Sequence, residues 1–150
     1  MGNSDTFFFV APYVENAIRK YRGWKVTDEP QSANGAIALM FAMKGTQAAL
    51  DTYGRLKQGA MPGFNKPDEG TLNQLGYMLL RQQKTDEAIK VFERNVQEYP
   101  NASNVYDSLG EAYMTAGKKD LAIKNYEKSV ELNPDNKNGI EMLKKLKGEN

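Results

Sequence analysis

The chain has 150 residues, about one domain's worth, with 40% apolar residues, 26% charged residues, 13 Gly and 6 Pro, a globular composition rather than a fibrous or disordered one. Twenty Lys and Arg against nineteen Asp and Glu leave a net charge of +1, which gives no whole-chain electrostatic grip on nucleic acid or an anionic membrane. With no Cys and no His, disulfides, thiolate metal sites, cysteine nucleophiles, the commonest metal ligand and the commonest general base are all missing.

Residues 1–30 read as an extension. Pro12–Arg22 has the spacing of a helix, with Val14, Ala17, Ile18 and Tyr21 on one face, and Trp24–Thr27 is a short strand or a packing segment. Phe7–Val10 places three consecutive Phe before a Val, too many for one small core, so they pack beneath the rest of the chain or pair with a second copy as a homodimer. The run is too short and wrongly flanked for a secretory signal, and no apolar run reaches the ~18 residues of a membrane span. As written the chain reads as cytoplasmic; as a fragment of a larger chain its lack of Cys also suits the periplasm or secretion. Met1-Gly2-Asn3-Ser4-Asp5-Thr6 formally fits an acylation pattern, a short one that often reflects an expression start.

Residues 31–68 carry a helix over about Ala33–Met43, ending at Gly45, with Ile37, Met40 and Phe41 predicted to be buried. The pair Ala49 and Tyr53 follows, and Gly59–Asp68 reads as a long loop.

Residues 69–102 and 103–136 are two copies of one unit. Aligned without a gap, they share Leu75/Leu109, Gly76/Gly110, Lys84/Lys118, Asp86/Asp120, Ala88-Ile89-Lys90/Ala122-Ile123-Lys124, Glu93/Glu127, Val96/Val130 and Pro100/Pro134. Ten identities in 34 columns, where composition alone gives about two, establish the period. Leu72, Leu75, Leu79 and Leu80 form one helical stripe, repeated by Tyr106, Leu109, Tyr113 and Met114. A second stripe runs through Ala88, Ile89, Phe92 and Val96, repeated by Ala122, Ile123, Tyr126 and Val130. This predicts helix pairs at about 70–82 with 85–99 and 104–116 with 119–132, joined by short turns. Thr85 is placed to cap its helix ahead of Asp86 and Glu87, and Asn133-Pro134 to end the last one. Residues 137–150 supply a capping helix, Lys137–Lys147, with Ile140, Leu143 and Leu146 on one face and lysines opposite.

These residues resemble the tetratricopeptide repeat family. Tyr106, Leu109, Gly110, Tyr113, Ala122, Tyr126 and Pro134 meet its pattern at every slot, and Leu72, Leu75, Gly76, Leu79, Ala88, Phe92 and Pro100 meet it with Leu in the early aromatic slots. Gly and Ala let two helices approach while the aromatic fills the gap opposite. Asn95 and Ser129 stand where the family has a later small residue, and Ala36-Ile37 replaces Leu-Gly in 31–68, which reads as a degenerate first repeat. The resemblance implies an all-α, right-handed helical solenoid. It also implies a partner-binding groove lined by the first helix of each pair: Asn73, Tyr77, Leu80 and Arg81, then Asn104, Asp107, Glu111, Met114 and Thr115, with Glu141 and Lys145 following.

Chaperone-binding members of the family hold a terminal carboxylate with Lys, Asn and Arg at such slots. Asp107 and Glu111 stand there instead, which favours a mixed, partly basic or apolar peptide. The expectation is a non-enzymatic protein–protein interaction module taking a protein or peptide ligand, without nucleic acid, cofactor, metal or catalytic residues. A second reading comes from the runs Leu72–Tyr77 and Asn104–Tyr113, which resemble the repeat tail after bacterial serine-hydrolase domains, β-lactamase-like or α/β-hydrolase-like; the chain would then be an accessory segment. A small enzyme within residues 1–70 ranks lowest, since no phosphate loop or nucleophile–base pair is present.

Overall fold

Seven helices account for about three quarters of the described residues, which in this computed structural model are Arg22 and residues 31–148. The helix expected over Pro12–Arg22 (Arg22 apart), the Phe7–Val10 and Trp24–Thr27 segments and the homodimer contact through them lie outside the described residues. In chain order the helices are α1 (Ala33–Lys44), α2 (Thr46–Lys57), α3 (Glu69–Arg81), α4 (Thr85–Glu98), α5 (Ser103–Thr115), α6 (Lys119–Leu132) and α7 (Lys137–Lys147). Among the described residues there is no strand, only an isolated bridge between Gln31 and Phe64. The fold is all-α. Two compact units divide between Thr71 and Leu72.

In the first unit, Ser32 caps α1 by accepting from Gly35 N at 3.3 Å, and Gly45 alone separates α1 from α2. Ala33, Ala36, Ile37 and Phe41 are buried with Ala49, Tyr53 and Leu56, but Met40 is only half-buried. The 58–68 segment has no helix, as expected, yet it is tied down. Gln31 N donates to Gly63 O at 2.7 Å, Asn65 N to Gln31 O at 3.0 Å, and Ala33 N to Asn65 Oδ1 at 2.6 Å. Asp68 then opens α3 with a reciprocal cap: its Oδ1 accepts from Thr71 N at 3.1 Å and its own N–H donates to Thr71 Oγ1 at 3.2 Å.

The second unit is built from the two 34-residue hairpins and α7. The small–aromatic pairing sets how close each hairpin closes. A Cβ placed on Gly76 would stand 2.4 Å from the Phe92 ring, and one on Gly110 would stand 3.2 Å from the Tyr126 ring. Only a residue without a side chain admits the ring at the first position. Ala88, Phe92, Ala122 and Tyr126 are all buried, as are Leu72, Leu75, Leu79, Leu109 and Tyr113. Leu80, Val96, Tyr106, Met114, Ile123 and Val130 are half-buried instead. Their places in the core go to Met78, Val91, Val105 and Ala112, because a helix packed on two sides buries a broader arc than one amphipathic stripe.

Both hairpins turn through the same motif. Lys84 N donates to Leu79 O and Gln83 N to Leu80 O; thirty-four residues on, Lys118 N donates to Tyr113 O and Gly117 N to Met114 O. The turn residue is left-handed in both, Gln83 at φ 60 and Gly117 at φ 71. Thr85 does not cap α4: the turn delivers the chain straight into the helix, Thr85 is its first residue, and Lys84 holds the cap position without a side-chain bond. Asp86 and Glu87 occupy the first turn as expected, and α6 ends at Asn133 in extended backbone before Pro134.

Candidate functional site

On α5, Asn104, Asp107, Glu111 and Thr115 recur at three- and four-residue intervals and so share one face. Tyr77 of α3 meets that face. Its hydroxyl donates to Glu111 Oε2 at 2.9 Å and lies 3.2 Å from Ser108 Oγ. Its ring packs edge-on against Phe92, centroids 5.3 Å apart at 75°, so the side chain is fixed at both ends. Tyr77 and Glu111 are equivalent positions of the two repeats, one 34-residue period apart, and the bond ties one first helix to the next. Burial pushes the Tyr77 hydroxyl up to about 12, with the Glu111 and Asp107 carboxylates adding to the rise against the Ser108 bond. It therefore remains a proton donor through the neutral range.

Asp107 makes the next link. Its Oδ1 accepts from Asn136 Nδ2 and its Oδ2 from Asn138 Nδ2, each at 2.7 Å. Asn136 also caps α7, accepting from Gly139 N at 3.1 Å, and donates to Ser129 Oγ at 2.8 Å. Ser129, fully buried, donates in turn to Ser103 O at 2.9 Å. The hydroxyl at the Ser129 slot is thus satisfied within the core and is part of the bonding that joins α5, α6 and α7, while Asn95 is fully buried at the equivalent slot of the first repeat.

The expected groove residues divide accordingly. Tyr77 and Glu111 are brought together, and Asp107 is held by the start of α7. Asn73 is half-buried with its side-chain oxygen buried and accepting no hydrogen bond among the described residues. Leu80 and Met114 are half-buried, Arg81 and Asn104 are exposed, and Thr115 bonds back to Glu111 O at 2.9 Å. Glu141 and Lys145 are exposed on α7. Three members were missed: Ser108, Asn136 and Asn138. Asn138 was within reach of the sequence, since it repeats Asn104 one period later. The result is a face rich in fixed acceptors, two of them carboxylates, with chemistry suited to cationic or N–H donor groups.

Comparison with known proteins bears on this geometry. Residues 74–102 and 108–136 each match a family model of the tetratricopeptide repeat. The sequence matches no curated protein. Among solved structures, the chain is similar to the first TPR of Spaghetti (RPAP3) bound to the HSP90 peptide SRMEEVD, at 21% identity and a TM-score of 0.55, over 77% of this chain and 88% of that one. It is also similar to the second TPR domain of human RPAP3 in complex with the HSP70 peptide SGPTIEEVD, at 21% identity and a TM-score of 0.53, over 91% of this chain and 98% of that one. At that identity the likeness is one of fold. The two 34-residue units are thus repeats of the tetratricopeptide type within an all-α helical-repeat architecture.

Proposed function

We propose that the second unit is a protein-interaction module that takes a cationic or mixed peptide on the face formed by Tyr77, Asp107 and Glu111, and that it has no catalytic activity of its own. The observation that carries this reading is the Tyr77–Glu111 bond, which fixes an aromatic and a carboxylate from successive first helices on one surface. Interfaces favour amphipathic aromatic anchors of this kind, and the sign of the flanking charge selects partners. Both similar solved structures hold acidic peptides. A peptide ending in Glu-Glu-Val-Asp would set its carboxylates against Asp107 and Glu111, so this chain should prefer the opposite charge. The resemblance to a serine-hydrolase tail rests on the Leu72–Tyr77 and Asn104–Tyr113 runs alone. Among the described residues no helix is long and apolar enough to cross a membrane.

The test is an amide-shift NMR titration of the full chain with two amidated peptides, SRMEEVD and its counterpart SRMKKVK, in which each acidic residue is replaced by Lys. The basic peptide should move the amides around Tyr77, Asp107 and Glu111, and Tyr77→Ala and Glu111→Arg should abolish the effect while Lys90→Ala leaves it intact. Shifts on that face from SRMEEVD, with none from SRMKKVK, would overturn the proposal.

A further inference from the structure

On another side of α5 from Asp107 and Glu111 lie Tyr106, Leu109 and Tyr113, which at about 100° per residue stand roughly 100–160° around the helix from those two carboxylates. These three side chains floor an open cavity of about 560 Å³, walled by α6 through Leu121, Lys124 and Lys128. The size is that of a site for a small ligand or a peptide side chain pair. Three observations mark it as a place of docking rather than a packing gap.

The first is its absence of a filler. At the position equivalent to Asn125 the other repeat carries Val91, which is fully buried. Asn125, which lines the open cavity, instead turns its amide back onto Leu121 O at 2.8 Å. The second is Leu121, a large apolar side chain 42% exposed at the cavity wall, where the other repeat has Glu87. The third is the charge pattern. Both rim carboxylates are occupied, Glu131 by Lys128 and Glu127 by Lys147, each at 2.8 Å. Lys124 has no ion-pair partner among the described residues, and Lys118 stands 6.0 Å above the Tyr113 ring. Beside the floor Glu93 accepts from the Tyr113 hydroxyl at 2.6 Å, and Lys124 stands at the cavity wall with no carboxylate among the described residues paired to it.

We infer that this cavity is a second docking site, for a peptide segment that places a bulky apolar side chain on Tyr106, Leu109 and Tyr113 and a neighbouring carboxylate on Lys124. Apolar burial supplies the attraction and the ammonium sets the sign. The preference is the reverse of that proposed for the Tyr77–Glu111 face, so one chain would bridge two partners of opposite charge. The site stands on its own geometry, and it survives or fails independently of the reading given for the other face.

The probe is the capped hexapeptide Leu-Phe-Glu-Asp-Leu-Phe, titrated into the full-length chain beside its counterpart Leu-Phe-Lys-Lys-Leu-Phe, with amide shifts locating the contact. The acidic peptide should move Leu109, Tyr113, Leu121 and Lys124 and bind about tenfold more tightly than the basic one. Lys124→Glu should invert that preference, Leu121→Ser should weaken both peptides, and Glu111→Arg should change neither. Equal binding of the two peptides, no binding, or shifts confined to the Tyr77–Glu111 face would overturn the inference. So would the same residues shifting when the protein alone is concentrated, which would make the occupant a second copy of the chain.

Discussion

The repeats at 69–102 and 103–136 meet the same packing problem with opposite strengths. The first is tightly closed and well capped at its start: the Phe92 ring lies against Gly76 with no room for a methyl, and Asp68 and Thr71 cap α3 reciprocally. Its turn, however, forces Gln83 into left-handed backbone. The second turns through Gly117, the residue suited to that conformation, but closes less tightly and begins α5 at Ala102, which offers no side-chain cap. At positions 68, 102 and 136, one period apart, the residues are Asp, Ala and Asn. A repeat pattern thus prescribes the roles, and each copy fills only some of them well.

Substitutions that exchange these features break the comparison most sharply at the glycines. Gly76→Ala should cost about 1–3 kcal/mol, since the fully buried Phe92 ring must move. Gly110→Ala should come out near neutral, because the ~1 kcal/mol helix-propensity gain offsets a milder squeeze on Tyr126. Urea unfolding of the two variants measures both, and equal losses would contradict the difference in closure.

Next in size is the turn. Left-handed backbone costs a residue with a side chain about 1–2 kcal/mol, part of which Gly gives back as chain entropy. Gln83→Gly should therefore stabilise by about 1 kcal/mol and Gly117→Gln should destabilise by a similar amount. The same unfolding series reads the sign.

Ala102→Asn should transfer to α5 the cap that Asn136 gives α7, accepting from the Val105 N–H and donating toward the buried Asn73 oxygen. A gain of about 1 kcal/mol is expected, or a melting temperature about 2–4 °C higher in a chain of this length. A lower melting temperature would show that the capping role does not carry over from the start of α7 to the start of α5.

The smallest effect is a slope with pH. Tyr77 of the first repeat and Tyr113 of the second are both pushed up from 10.0 to about 12, chiefly by burial, Tyr113 also through its 2.6 Å bond to Glu93. Below pH 10 neither folded nor unfolded chain has released these protons, so their contribution is complete. Between pH 10 and 12 the unfolded chain releases them while the folded chain holds them, and stability falls as pH rises. Thermal melts across that window should fall less steeply for the Tyr77→Phe, Tyr113→Phe double variant than for the unaltered chain.

Local and periodic features were legible in the sequence. The helices at 33–44, 69–81, 103–115 and 137–147 follow from apolar spacing, and the Gly–aromatic pairs follow from identities one period apart. Features that depend on a second neighbour were not. Val91, Val105 and Ala112 lie off the main stripes and are buried by packing on another side of their helices. Asn136 and Asn138 join the candidate face only because α7 brings them onto Asp107 from 29 and 31 residues away. The α5–α6 cavity is lined by Asn125, where the other repeat has the buried Val91, and Asn125 reads in the sequence as an ordinary polar surface position.

The claim at the centre of the account is that Tyr77 and Glu111 together make a face whose charge selects its ligand. Isothermal titration of SRMKKVK and SRMEEVD against the unaltered chain and Glu111→Arg tests it directly. The unaltered chain should bind the basic peptide, and Glu111→Arg should lose it and gain affinity for the acidic one, a swing of about tenfold or more. An unchanged order of affinities in Glu111→Arg would contradict the claim.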